Sequence, residues 1–261
     1  MLKQFRAWRR ARTLERHPIA DDLWRTTVDS LHILDRLDDA EIARLRELAT
    51  LFLRQKGFVG AHGFEVTDAM RVTIAAQACL PILNLGLEYY RGWYTLILYE
   101  TAFVAHRERR DEDGIVHTGY EELDGESAEG GPLVLSCDEA QPQAADEPYN
   151  VVVHEFAHKL DELTGAPNGL PPLHRDMSVE AWSRAMTAAY DAFNDLLDRD
   201  EEPPFDDYAG SDPAEFFAVT SELFFAAPDV VIDAYPHVYA QLRAFYRQDP
   251  IAAYEPIAPP R

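Results

Sequence analysis

Lysine is nearly missing from this 261-residue chain; it occurs only at Lys3, Lys56 and Lys159. Basic charge is therefore carried by arginine, and it is outnumbered. There are 24 Lys and Arg against 46 Asp and Glu, a formal net charge of -22. So acidic a protein repels polyanions, which argues against direct nucleic-acid binding and against anionic membrane surfaces. A basic partner or basic peptide fits it better. Cysteine is scarce as well. Cys79 and Cys137 are the two thiols. They make no disulfide framework, and with no CxxC pair they make no zinc ribbon or redox site. No apolar run approaches the roughly 18 residues needed to span a bilayer. Met1 to Arg16 is basic, through Lys3, Arg6, Arg9, Arg10, Arg12 and Arg16. It has no apolar stretch and no small-residue cleavage site, so it does not read as a secretory signal. These absences predict a cytoplasmic protein without a membrane or nucleic-acid partner.

What is present is enough apolar content, 47%, to build a full core. Leu2, Phe5 and Trp8 recur every third residue, a weak amphipathic pattern that we read as an N-terminal arm. From Ile19 to about Leu87 the pattern is helical. Asp38-Asp39-Ala40-Glu41 opens a run with apolar residues at Ile42, Leu45, Leu48, Leu51 and Phe52. Thr67 and Asp68 can cap a second helix that runs towards Cys79 and stops at Pro81. Strand signals follow at Trp93 to Tyr99, Phe103 to His106, Ile115 to His117 and Gly131 to Ser136. Asp111-Glu112-Asp113-Gly114 reads as a turn. The acidic stretch Glu121 to Gly131 reads as a loop, with Glu121 to Glu129 a candidate lid. Pro132 places the last strand at a sheet edge, and Leu133-Val134-Leu135 is the candidate edge for pairing with an extended substrate. After Pro148 helices are expected from Tyr149 to Leu163, Val179 to Arg199, Pro213 to Phe225 and Asp233 to Arg247. The fold class is α+β, with a small mixed sheet between helical N-terminal and C-terminal parts.

His154-Glu155-Phe156-Ala157-His158 carries the chemistry. Four residues of helix turn through about 400°, so both imidazoles lie on one face a turn apart, within reach of one tetrahedral Zn²⁺. Glu155 between them is placed to take a proton from an attacking water. Val151, Val152, Val153, Phe156, Ala157 and Leu160 make the helix apolar on most of its surface. Two His and a Glu buried there are costly without partners or a metal. Asp161 shares a face with His154 and is a candidate acceptor for a ligating imidazole N–H. The third ligand is not at position 164, which is Thr. Glu180, Glu215 and Glu222 compete for it; Glu215 and Glu222 share a face of an apolar helix, where a carboxylate needs a partner.

Several stretches together resemble a known family. They are Phe58-Val59-Gly60-Ala61, Ile74 to Gly86, Tyr90-Arg91-Gly92-Trp93, Gly131 to Ser136, Val152 to Asp161 and Pro213 to Val219. In these the chain is similar to the Mlc titration factor A family of bacterial zinc peptidases, whose catalytic core resembles the anthrax lethal factor protease domain. The resemblance implies a zincin-like core and a gluzincin-type site. His154, His158 and Glu215 would hold one zinc, Glu155 would be the general base, and Glu222 a supporting carboxylate. Tyr208, seven residues before Glu215, would donate to the oxyanion. The resemblance also implies aminopeptidase-type activity and, in enterobacteria, binding of the glucose repressor Mlc, a link to glucose phosphotransferase regulation. The alternative is a regulatory protein that sequesters such a partner over a slow or vestigial zinc site. The expected organisation is a basic arm over 1–18, a helical part over 19–90 and a zincin-like catalytic part over 91–261 packed with it.

Overall fold

The first core helices begin where capping chemistry allows. The Asp38 carboxylate accepts the backbone N–H of Glu41, and the Glu41 side chain accepts that of Asp38, a reciprocal box that starts a helix at Asp39. Thr67 caps the next long helix by accepting from Met70 N. The computed structural model describes residues 2–110, 116–123, 125–127, 131–142 and 149–252. Its helices are α1 (Leu2–Arg16), α2 (Asp21–Ser30), α3 (Asp39–Gln55), α4 (Asp68–Cys79), α5 (Val151–Asp161), α6 (Val179–Leu197), α7 (Pro213–Ala226), α8 (Pro228–Ala234) and α9 (Pro236–Tyr246). The expected arm is thus a helix for most of its length. It is tied to α3 by Arg10 and Glu47 at 3.1 Å, with Phe5 and Trp8 left exposed.

The sheet is mixed. Strands β1 (Gly57–Gly60), β2 (Thr95–Tyr99), β5 (Gly125–Ser127) and β6 (Leu133–Ser136) lie in the order β1-β2-β6-β5. The first two pairings are parallel and the last antiparallel. Strands β3 (Phe103–Arg110) and β4 (Val116–Leu123) pair separately as an antiparallel ribbon. Leu96 and Leu98 on β2 align with Leu133 and Leu135 on β6, and all four are buried. The alternating pattern of β2 therefore turns one face to the core. That core is continuous from Ile19 to Tyr246, so the described parts of 19–90 and 91–252 share it.

Four expectations change here. The helical reading from Ile19 to Leu87 missed β1, a short strand whose two glycines hid its pattern and which pairs with β2 far along the chain. Glu121 to Gly131 is not all loop: 121–123 end β4 and Gly125–Ser127 form β5. Strand β6 is not an edge, since β2 and β5 flank it; Pro132 lies just before the strand, where its missing N–H costs no ladder bond. Asp233 to Arg247 is broken, because Pro236 opens a new helix. The expected turn at 111–114 and the tail 256–261 lie outside the described residues.

Candidate metal centre

Helix α5 is buried along its whole length. Asn150 starts it: its side-chain oxygen accepts Val153 N–H at 2.9 Å. From that start the helix sets His154 and His158 one turn apart, ring centroids 5.0 Å from each other. Helix α7 packs against α5. Asp212 caps α7 by accepting the N–H groups of Ala214 and Glu215 at 2.8 and 3.0 Å, and Pro213 fits the first turn. This fixes Glu215 at the helix start, facing the histidines. Its Oε2 lies 3.1 Å from His154 Nε2 and 3.2 Å from His158 Nε2. The ligand atoms of these three residues lie within 4.8 Å of one another.

Two further groups close around the triad. Tyr208 stands on a short 3₁₀ turn, Asp207–Gly210, held by the Asp206 carboxylate on Tyr208 N–H. Its hydroxyl donates to Glu215 Oε1 at 3.0 Å. Glu222, two turns along α7 from Glu215, places Oε2 3.3 Å from His154 Nδ1, while its Oε1 accepts Asn150 N–H. Asn150 in turn donates to Gln77 Oε1 at 2.7 Å, and Gln77 to Ala140 O at 3.0 Å. A line of hydrogen bonds therefore ties α4, the start of α5 and α7 to one face of the His154 ring.

Glu155 points elsewhere. It is buried, and its Oε2 has no hydrogen-bond partner among the described residues. Strand β5 comes so close that a Cβ on Gly125 would lie 2.5 Å from Glu155 Cγ. Burial raises the Glu155 pKa, against the lowering effect of the two histidines. Such a carboxyl is better suited to taking up a proton than an exposed one.

The electrostatics of the triad favour positive charge at its centre. Burial would push His154 towards the neutral form, but its hydrogen bonds to Glu215 and Glu222 hold its pKa up at about 10. Burial likewise works to raise Glu215, and the two imidazoles overcome it and hold the carboxyl well below its usual range. Two imidazole nitrogens and one carboxylate oxygen converging beside Glu155, whose Oε2 has no hydrogen-bond partner among the described residues, form a donor set that fits a catalytic Zn²⁺. The remaining side faces a cleft of about 510 Å³ that Glu155 and Tyr208 both line.

The other two sequence candidates are displaced. Glu180 pairs with Arg184 at 2.9 Å on the exposed face of α6. The Asp161 Oδ2 accepts Asn168 N–H and Gly169 N–H at 2.7 and 2.6 Å, which makes it an anchor for the segment after α5. The imidazole acceptor at His154 is Glu222 instead. Asn150 was readable as a helix cap ahead of the valine run. Gly125 carried no signal that sets it apart from other loop glycines.

Comparison with known proteins places the chain in a family. Residues 5–247 match the family described as glucose-regulated metallo-peptidase M90. The chain belongs to that family. Among its relatives, Mlc titration factor A of Serratia proteamaculans is 38% identical over 227 residues, covering 85% of this chain and 86% of the relative. That of Edwardsiella ictaluri is 38% identical over 226 residues, with 85% and 86% covered. That of Pectobacterium atrosepticum is 38% identical over 236 residues, with 88% and 87% covered. Membership of the M90 metallopeptidases implies a metal ion, and His154, His158 and Glu215 form a group able to hold one. Among the described residues of this M90 chain, no helix is long and apolar enough to cross a membrane.

Proposed function

We propose that this protein is a zinc-dependent peptidase of aminopeptidase type with a zincin-like core. The observation that carries the reading is the convergence of His154, His158 and Glu215 beside Glu155, whose Oε2 has no hydrogen-bond partner among the described residues, next to a cleft that His154 and Glu155 line. His154 Nε2, His158 Nε2 and a Glu215 oxygen would hold the ion. When bound, zinc lowers the pKa of water and polarises a peptide carbonyl.

The chain's own residues supply the rest. Glu155 takes the proton from the attacking water and delivers it to the leaving amine. The Tyr208 hydroxyl, at the cleft beside Glu215, donates to the oxyanion as the carbonyl carbon becomes tetrahedral. Glu222 keeps His154 turned with Nε2 towards Glu215. The strand that pairs with extended substrate is β5, the outer strand next to Glu155, in place of the internal β6.

The relatives' name supports a second role, binding a transcriptional repressor of the Mlc type. Capture of such a repressor by a Glu155→Gln variant would separate partner binding from catalysis. The peptidase reading itself is tested by zinc content and peptide cleavage, measured together on wild type and Glu155→Gln.

A further inference from the structure

The charge of the molecule is unevenly spread. Helix α1 holds six of the 24 basic residues, at Lys3, Arg6, Arg9, Arg10, Arg12 and Arg16, and one of the 46 acidic ones, Glu15. It therefore carries +5, while the rest of the chain carries -27. The total argues against anionic surfaces for the protein as a whole. At physiological ionic strength, however, a charge is felt over about 8 Å. A surface that touches α1 meets the helix before it meets the total.

The helix is fixed to the body by one side. Arg10 pairs with Glu47 of α3 at 3.1 Å, and Thr13 and Leu14 are half-buried. At about 100° per residue, positions 10, 13 and 14 share that side. Phe5, Trp8 and Arg12 fall on the opposite side, within an arc of about 60°. Phe5 is 56% exposed and Trp8 54%, and neither belongs to the hydrophobic core. The two rings stack at 6.0 Å, with the Arg9 guanidinium 6.0 Å from the centre of Phe5 and that of Arg12 5.1 Å from Trp8. While α1 is docked through Arg10, Thr13 and Leu14, this aromatic side cannot turn onto the protein's own core.

Large rings projecting from a basic helix suit the boundary between water and a bilayer. The rings bury their apolar faces at the headgroup level, and guanidinium groups at the same depth meet lipid phosphates. The face is also a convex ridge. A bilayer parts its headgroups around such a ridge, whereas a protein partner must offer a groove cut to it. Packing of α1 on the α1 of a second copy sets +5 against +5. We propose that α1 docks this protein on anionic phospholipid membranes, with Phe5 and Trp8 at the headgroup level and Arg9, Arg12 and Arg16 on the lipid phosphates. The docking is independent of the metal centre and of the peptidase reading.

The test is flotation of the full chain with vesicles of phosphatidylglycerol and phosphatidylethanolamine, beside vesicles of phosphatidylcholine alone. Trp24, Trp93 and Trp182 are buried, so protection of tryptophan fluorescence from acrylamide on adding vesicles reports Trp8. The expected result is binding to the anionic vesicles, with protection that disappears in Trp8→Phe. Binding should weaken by roughly 5-fold for each arginine neutralised in Arg9→Gln and Arg12→Gln. It should be lost in the double variant Phe5→Ser, Trp8→Ser. Raising salt from about 0.1 to 1 M, which shortens the Debye length from about 10 to 3 Å, should weaken it too. No flotation with anionic vesicles at low salt overturns the proposal. So does equal binding to phosphatidylcholine, or binding that survives loss of both rings. If vesicles are ignored and wild type self-associates in sedimentation where the double variant does not, the face joins copies of the chain and the proposal falls. Should a variant fail to fold, the lipid preference, the salt dependence and the quenching of wild type still decide.

Discussion

Glu222 Oε2 lies 3.3 Å from His154 Nδ1, on the opposite side of the imidazole from Glu215, whose Oε2 is 3.1 Å from Nε2. The ring is thus held between two carboxylates of one helix. Removing the outer one leaves His154 in place but frees its tautomer and its angle. Glu222→Gln should weaken zinc binding by roughly 10- to 100-fold, measured by competition with a chromogenic chelator. An unchanged affinity would reduce Glu222 to a cap for Asn150.

Gly125 approaches Glu155 more closely than any side chain would permit, with a built Cβ 2.5 Å from Cγ and 2.6 Å from Oε1. Gly125→Ala must therefore displace either β5 or the Glu155 carboxylate. We expect kcat to fall by about 100-fold, the scale set by a misplacement near 1 Å, with zinc stoichiometry retained. Full activity in Gly125→Ala would show that the contact does not position Glu155.

Tyr208 donates its hydroxyl to Glu215 and lines the cleft. If it donates to the oxyanion, Tyr208→Phe should lower kcat by roughly 100- to 1,000-fold, as loss of one such donor does. KM should change little and the metal should stay bound. A defect confined to metal affinity would instead make Tyr208 a support for Glu215.

Lys56 provides a pH dependence away from the candidate metal centre. Its Nζ donates to Tyr90 O and Trp93 O at 2.5 and 2.6 Å and lies 3.4 Å from the centre of the Trp93 ring. Burial, and then the charge of Lys159, push its pKa down from 10.5 to about 7. Below pH 7 the amine is protonated in both states, so the cost of burying its charge is fully present. Between about 7 and 10.5 the unfolded chain binds one more proton than the folded one, and stability contributed by this group rises with pH. Above 10.5 it changes no further. Chemical denaturation of wild type should show this rise relative to Lys56→Met, with a slope of at most about 1.4 kcal/mol per pH unit. A flat difference between the two proteins would mean that the carbonyls and the ring keep the ammonium charged throughout.

The sequence disclosed the parts whose signals are local. Helix α5 was legible from its valine run and its His spacing, α3 and α4 from caps at Asp38 and Thr67, and α7 from Pro213 and its apolar content. Strands β1 and β5 were not, because a strand of four or three residues gains its stability from a neighbour distant in sequence, and nothing in Gly57–Gly60 or Gly125–Ser127 reports that neighbour. The same reason hid the edge: Pro132 was a sound local cue, and only the β5 pairing shows that β6 is internal. At the site, helical spacing put Asp161 on the face of His154, but a loop folded back and took its carboxylate through Asn168 and Gly169. Glu222 took the imidazole because α7 packs across α5, a relationship between helices that periodicity within either one does not contain.

The central claim is that His154, His158 and Glu215 hold a zinc on which Glu155 performs the proton transfer of peptide hydrolysis. The most direct measurement is zinc stoichiometry and reporter-peptide turnover on wild type and Glu155→Gln side by side. Wild type should bind one equivalent of zinc and cleave, and Glu155→Gln should keep the zinc and lose turnover by several orders of magnitude. Turnover that survives intact in Glu155→Gln, or a wild type that binds no zinc, would contradict the account.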